Sequence, residues 1–213
     1  MGKGNPLPRS TKKGRRSDFP RLLGGNLALD FVNTVEARSG EHPEEFLQSY
    51  KDLAHWGEHV ALFSFAQAER LEKQAARVPK TAAAEFRKTQ ALREALYRIF
   101  FALARGENVS QADLADLQSH YIDALKSAQL SSTMQGYGWH WEQDINFATV
   151  GWRCAQAAVE LLGSENLARV KECPNCGWLF LDQSKNTSRR WCSMEGCGSE
   201  VKSRRQYARQ HRH

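Results

Sequence analysis

The chain has 213 residues, of which 25% are charged, 41% apolar and 10% aromatic, a composition that suits one good core or a core with a small appended module. Its longest apolar runs fall far short of the ~18 residues that a membrane span needs, and the first twenty residues hold no apolar block of the secretory kind, so a soluble cytoplasmic protein is expected. The net charge of +6 is uneven: residues 1–21 carry seven Lys/Arg and one acid, residues 171–213 nine and four, and the stretch between them is net acidic; basic ends of this kind attract polyanions.

Residues 1–21 are rich in Gly, Pro, Lys and Arg and are expected to form a disordered basic tail, because they have too little to bury to offset their ordering entropy. From residue 22 to 169 the apolar pattern is that of a mostly helical body. Leu27, Ala28, Phe31, Val32 and Val35 recur at helical spacing, although alternation at Leu27, Leu29 and Phe31 keeps a strand open. Pro43, Glu44 and Glu45 read as a first helical turn leading into Leu47, Tyr50 and Leu53. Ser64 is placed to cap a helix through Ala68 and Leu71. The clearest helix runs over about 81–104, with Leu92, Leu96, Ile99 and Leu103 on one face. Ser110 with Asp113 resembles a capping box before Leu114, Leu117 and Leu125. Gln135 to Gly138 then interrupts, and the alternation of Trp139 and Trp141 about His140 predicts a β-hairpin. A last body helix, about 147–162, stops at Gly163.

Four of the five cysteines fall in the last 41 residues, as Cys173-x2-Cys176, a fifteen-residue loop, and Cys192-x4-Cys197. Two close thiolate pairs across a short loop suit tetrahedral zinc, and disulfides are the weaker reading in a reducing compartment. Four thiolates leave no open position for water, so the zinc is expected to be structural. Roughly forty residues bury too little to fold without such a staple. Cys154, on an apolar helical stretch, reads as a buried hydrophobe. Residues 178–181 form a candidate strand, with 188–191 its candidate return. After Cys197 a helix is expected with Lys202, Arg205, Arg209 and Arg212 along one face and Arg204 beside it. Knuckle, hairpin and helix together resemble a treble clef. Arg189, Arg190 and this stripe form the candidate nucleic-acid surface; a solvated face that balances the metal site is the alternative.

The run from Cys173 through Pro174, Asn175, Cys176, Gly177 and Trp178 to Asp182, then 188–194 and Cys197-Gly198, resembles the CGNR zinc finger. Upstream, residues 27–34 (Leu-Ala-Leu-Asp-Phe-Val-Asn-Thr) are similar to the opening of the ABATE domain, which accompanies that finger in bacterial proteins described as stress-induced transcription regulators. The resemblance implies a DNA-binding finger with one zinc on Cys173, Cys176, Cys192 and Cys197. The Asn-Arg that names the finger is Ser199-Glu200 here, which sets an acid where the resemblance implies a base.

Two further patterns bear on chemistry. His55-Trp56-Gly57-Glu58-His59 spells H-x-x-E-H, a zinc-protease pattern, but Gly57 disfavours a helix and no third ligand stands out, so chance spacing is the reading. Asp30, Asn33 and Thr34 share a polar arc on a helix, which fits either local hydrogen bonding or a small-ligand pocket.

The expected fold is mainly α (α+β): a helical N-terminal body with a small β-hairpin over 22–169, and a treble-clef-like four-cysteine zinc finger with a basic C-terminal helix over 170–213. The expected function is a zinc-containing DNA-binding transcription regulator, responsive to stress or ligand, with no catalytic residues and no membrane partner. A zinc-stabilised RNA- or protein-binding module is the alternative. A homodimer and a small-molecule effector in the body stay open. The body's apolar faces are not expected to depend on the metal.

Overall fold

The computed structural model describes residues 19–38, 42–134, 136–141 and 145–211. The expected disordered tail falls outside them except at its end, and there it is packed: the Phe19 ring lies 5.5 Å from that of His59, whose Nε2 meets the Pro20 carbonyl at 3.3 Å. Arg212 also falls outside.

The body is built around a short central helix, α1 (Leu27–Val32), which resolves the ambiguity of its alternation. Asn26 accepts the Ala28 N–H as an N-cap, and Ala28, Leu29, Phe31 and Val32 are all buried, a spacing that only a helix can serve from several sides. After it, β1 (Val35–Glu36) and β2 (Glu44–Glu45) form a two-residue antiparallel ladder. The helical turn expected at Pro43 to Glu45 is therefore not formed. The reason is tertiary: Glu45 must reach Arg93, which is 3% exposed and donates to both Glu45 oxygens at 2.8 and 2.5 Å, and also to Thr34 and Glu94. A buried guanidinium without such partners is strongly disfavoured, so this contact outweighs a weak local helix start.

Helix α2 (Tyr50–His59) begins instead at Ser49, whose hydroxyl accepts the Asp52 N–H. Helix α3 (Phe65–Arg77) has the expected Ser64 cap, completed by Gln67 into a capping box. Helix α4 (Pro79–Ala104), with Pro79 in its first turn, is the longest element and lines the core with Leu92, Leu96, Ile99 and Phe100. Helix α5 (Gln111–Lys126) follows Ser110, but the capping box is absent: Ser110 makes no side-chain cap bond, and Asp113 instead accepts Arg98 of α4 at 2.9 and 2.6 Å. The predicted hairpin is β3 (Ala128–Thr133) with β4 (Gly136–Trp141), and α6 (Thr149–Leu162) ends at Gly163 as expected.

A 3-10 turn, Glu165–Arg169, leads into β5 (Val170–Glu172), which pairs antiparallel with β6 (Leu179–Leu181). The strand after the first cysteine pair thus takes the segment before that pair as its partner, not the expected 188–191. The chain closes with a π-helical turn (Met194–Gly198) and α7 (Ser199–Gln210). Fold class is as expected: seven helices among the described residues, small antiparallel hairpins and a C-terminal four-cysteine cluster.

Strand β6 decides how the two parts meet. Side chains alternate across a strand, so Leu179 and Leu181, with Val170, enter the core of the body, whereas Phe180 joins Trp178, Cys173 and Cys192 in a second cluster. One three-residue strand serves both cores.

Candidate metal centre and nucleic-acid interface

The first knuckle is the loop of the β5–β6 hairpin. Cys173 N–H donates to the Trp178 carbonyl and Gly177 N–H to the Cys173 carbonyl, both at 2.8 Å, and Gly177 takes φ +76°, a left-handed value that glycine adopts without strain. The second pair has four intervening residues and needs a wider turn. The π turn supplies it: Ser193 accepts the Gly196 N–H through its side chain and the Gly198 N–H through its carbonyl.

These turns bring the four Sγ atoms within 4.8 Å of one another, with Cys192 at 3.6 Å from both Cys176 and Cys197. A tetrahedron with Zn–S bonds of ~2.3 Å has S···S edges of roughly 3.8 Å, whereas a disulfide needs ~2.05 Å. The donor set fits one zinc ion. Hydrogen bonds from Cys176, and next from Cys192, hold the Cys173 thiol well below its ordinary value, while the proton shared with Cys173 pushes Cys176 and Cys192 up. Gathering four thiolates at this spacing calls for a cation among them. Cys173, Cys176, Cys192 and Cys197 are therefore positioned to hold one structural zinc. Cys154 is wholly buried in the body on α6, where burial pushes its thiol up, and plays no part.

A polar network supports the second knuckle from behind. Asp182 is fully buried and accepts Lys171 Nζ at 2.7 Å, Ser184 N and Oγ at 3.0 and 2.6 Å, and Arg189 N at 2.9 Å. Despite the opposing effect of burial, these donors hold its carboxyl well below the usual range. The Arg189 guanidinium lies 4.8 Å over the Phe180 ring and donates to the Trp191 and Cys192 carbonyls. Arg189, half-buried, therefore buttresses the zinc knuckle, whereas Arg190 beside it is exposed.

Asp30, Asn33 and Thr34 are brought together, but each is committed to the protein. Asn33, 3% exposed, donates to the Leu179 carbonyl at 2.8 Å and accepts the Leu179 N–H at 3.0 Å, acting as a missing neighbour strand for β6. Thr34 donates to the Phe31 carbonyl and accepts Arg93. Asp30 accepts the Gly24 N–H at 2.8 Å, and burial pushes its carboxyl up to about 6. None of the three lines the cleft of about 450 Å³ beside α2–α4 or the one of about 670 Å³ beside α3 and α6. Through Asn33 their arc forms a seam between body and finger. Asn33→Ala should cost about 3 kcal/mol in denaturant unfolding, since two buried backbone groups lose their partners; a loss below about 1 kcal/mol would show that the seam does not need it.

Residues 25–165 match the ABATE family, described as "Putative stress-induced transcription regulator", and residues 169–210 match the CGNR zinc finger. The chain belongs to the ABATE family. No curated protein matches it. The ABATE match ends, and the CGNR match begins, within the 3-10 turn that precedes the hairpin shared by both cores.

In the CGNR finger, α7 leaves the second knuckle with none of its side chains buried. Lys202, Arg205 and Arg209 lie exposed on one arc, and no ion pair among the described residues engages them. Arg204 is paired with Glu200 at 2.5 Å, and Arg190 is exposed with its guanidinium 5.3 Å from the Trp191 ring centroid. Glu200, which replaces the Arg of the finger's name, also accepts Asn175 Nδ2 at 2.9 Å and so ties the first knuckle to α7. It faces the metal centre, away from the basic arc.

The H-x-x-E-H pattern in the ABATE domain holds no metal geometry: His55 meets Glu72 at 2.8 Å, while His59 meets Pro20. Gly57 is there for packing, because a Cβ would lie 2.3 Å from the Phe63 ring. Among the described residues the four cysteines are the one group able to hold a metal.

Proposed function

We propose that this ABATE protein is a DNA-binding transcription regulator that grips the phosphate backbone through α7. The observation that carries the reading is α7 itself. Twelve residues at ~1.5 Å each make a rod ~18 Å long, narrow enough for the major groove. Its basic arc is free, its side chains support no core, and the zinc knuckles fix where it points. A helix that contributes no burial to its own fold is suited to contact something else. Lys202, Arg205 and Arg209 are the phosphate contacts, with Arg190 at the flank; Arg204 is secondary because Glu200 holds it. The reading assigns no reaction, since a four-thiolate zinc has no open position. The ABATE body supplies the frame, and responsiveness to stress belongs to it.

Two measurements test this reading. Nucleic acid recovered with the protein from cells should be DNA enriched in promoter regions; RNA in its place would favour the alternative of an RNA-binding module. Affinity for duplex DNA should fall with salt at a log–log slope of about 3, from three contacts at ~0.9 each. A slope below about 1 would remove α7 from the interface.

A further inference from the structure

The β3–β4 ribbon is the part of the body that the reading above leaves unused. Its register pairs Ala128 with Trp141, Leu130 with Trp139 and Ser132 with Tyr137, so those residues share one face. Among the described residues the base of that face is held by the body: Trp141 Nε1 donates to the Ala124 carbonyl at 2.9 Å, and Arg153 lies 5.1 Å over its ring. Exposure then rises toward the tip, from 43% at Trp139 to 61% at Leu130 and 82% at Tyr137, with Met134 wholly in solvent. The opposite face carries Gln129, Ser131, Gly138 and His140.

Two features select what covers the apolar face. The first is charge. From residue 128 to 141 there is no Asp, Glu, Lys or Arg, in a chain that is 25% charged. A ribbon that met nucleic acid would need cations, and a ribbon that met an unlike protein would gain from charges to select it. An uncharged face instead lets two like molecules, each of net charge +6, meet where no like charges oppose. The second is area. Leu130, Tyr137 and Trp139 together expose on the order of 400 Å² per copy, about 800 Å² for the pair, the size of a small reversible interface. A two-stranded ribbon alone is at best marginally stable, and neither strand has a second neighbour among the described residues.

We propose that two copies of the chain pack these ribbons face to face about a two-fold axis, with Leu130, Tyr137 and Trp139 of each against the same residues of the other. Such an interface is self-complementary, as two-fold symmetry requires.

Sedimentation equilibrium of the full-length, zinc-loaded protein tests it. At about 100 µM the mass should be twice 24.2 kDa; a single-chain mass would overturn the proposal. The double variant Leu130→Glu with Tyr137→Glu should sediment as one chain, keeping its helical circular dichroism and one zinc. Ser131→Glu, on the opposite face, should remain a dimer. A dimeric double variant, or a monomeric Ser131→Glu, would each overturn face-to-face packing. Should the double variant not fold, Tyr137→Ser, which removes little from the monomer, should weaken association at least tenfold; unchanged association would count against it. The readout is mass, so failure here leaves the DNA reading intact.

Discussion

Cys173→Ser is expected to empty the zinc site and, with it, to lower the stability of the helical body. Three thiolates cannot close the tetrahedron, and structural zinc contributes roughly 10–16 kcal/mol to small modules of this kind. With the ion gone, α7 loses its main anchor, because it buries no side chain, and the knuckles keep only the Asp182 network and the Trp178–Phe180 cluster. The effect should not stop at the finger. Cys173 follows β5 directly, and Val170, Leu179 and Leu181 are buried in the core of the body. Loosening the hairpin should remove about 5 kcal/mol of burial from that core, a large share of the ~5–15 kcal/mol that a domain has. The sequence-based expectation of a body indifferent to metal is thus replaced by a shared hairpin. Metal analysis should find less than a tenth of a zinc per chain, and thermal unfolding followed by circular dichroism should shift downward for the body's helices. Cys154→Ala should keep one zinc. A Cys173→Ser protein whose helices melt at the parental temperature would show that the two cores are energetically separate.

Replacing Lys202, Arg205 and Arg209 together with Glu should weaken duplex DNA binding by at least a hundredfold, equally for every sequence tested. Three attractive contacts become three repulsive ones, and phosphate contacts carry no sequence information of their own. The fold should survive, because all three side chains lie in solvent and none takes part in the zinc knuckles or the seam. Arg204→Ala should have a smaller effect, since its guanidinium is already held by Glu200. The salt slope should fall by about 3 in the triple variant. If affinity and slope both stay at the parental values, the arc is a solvated face, and the function has to be sought in the body.

Reading α7 and the zinc ligands needed only local spacing. Cysteines two and four residues apart chelate from single turns, and bases at 202, 205 and 209 share an arc on any helix. The same holds for the Ser64 cap and the apolar stripe of α4. Other residues resisted because their partners lie far along the chain. Asn33 looked like a polar residue on an arc, and Leu179, 146 positions away, makes it a strand edge. Asp182 is buried because Lys171 and Arg189, 11 and 7 positions away, close around it. Arg189 reads in the sequence as a basic residue of the loop, and its bonds to the carbonyls of the second knuckle and its place over the Phe180 ring depend on the packed finger.

The sequence by itself determined the metal, its ligands, the helical class of the body and the basic arc of α7, because each depends on periodicity or chelation within a turn or two. Only the tertiary structure decided that β6 pairs backward with β5, that Glu44–Glu45 is extended, and that finger and body share a hairpin. Those outcomes turn on buried groups finding partners. A guanidinium at Arg93 and the backbone of Leu179 cannot be left unsatisfied away from water, and which residues satisfy them is a property of the packed chain.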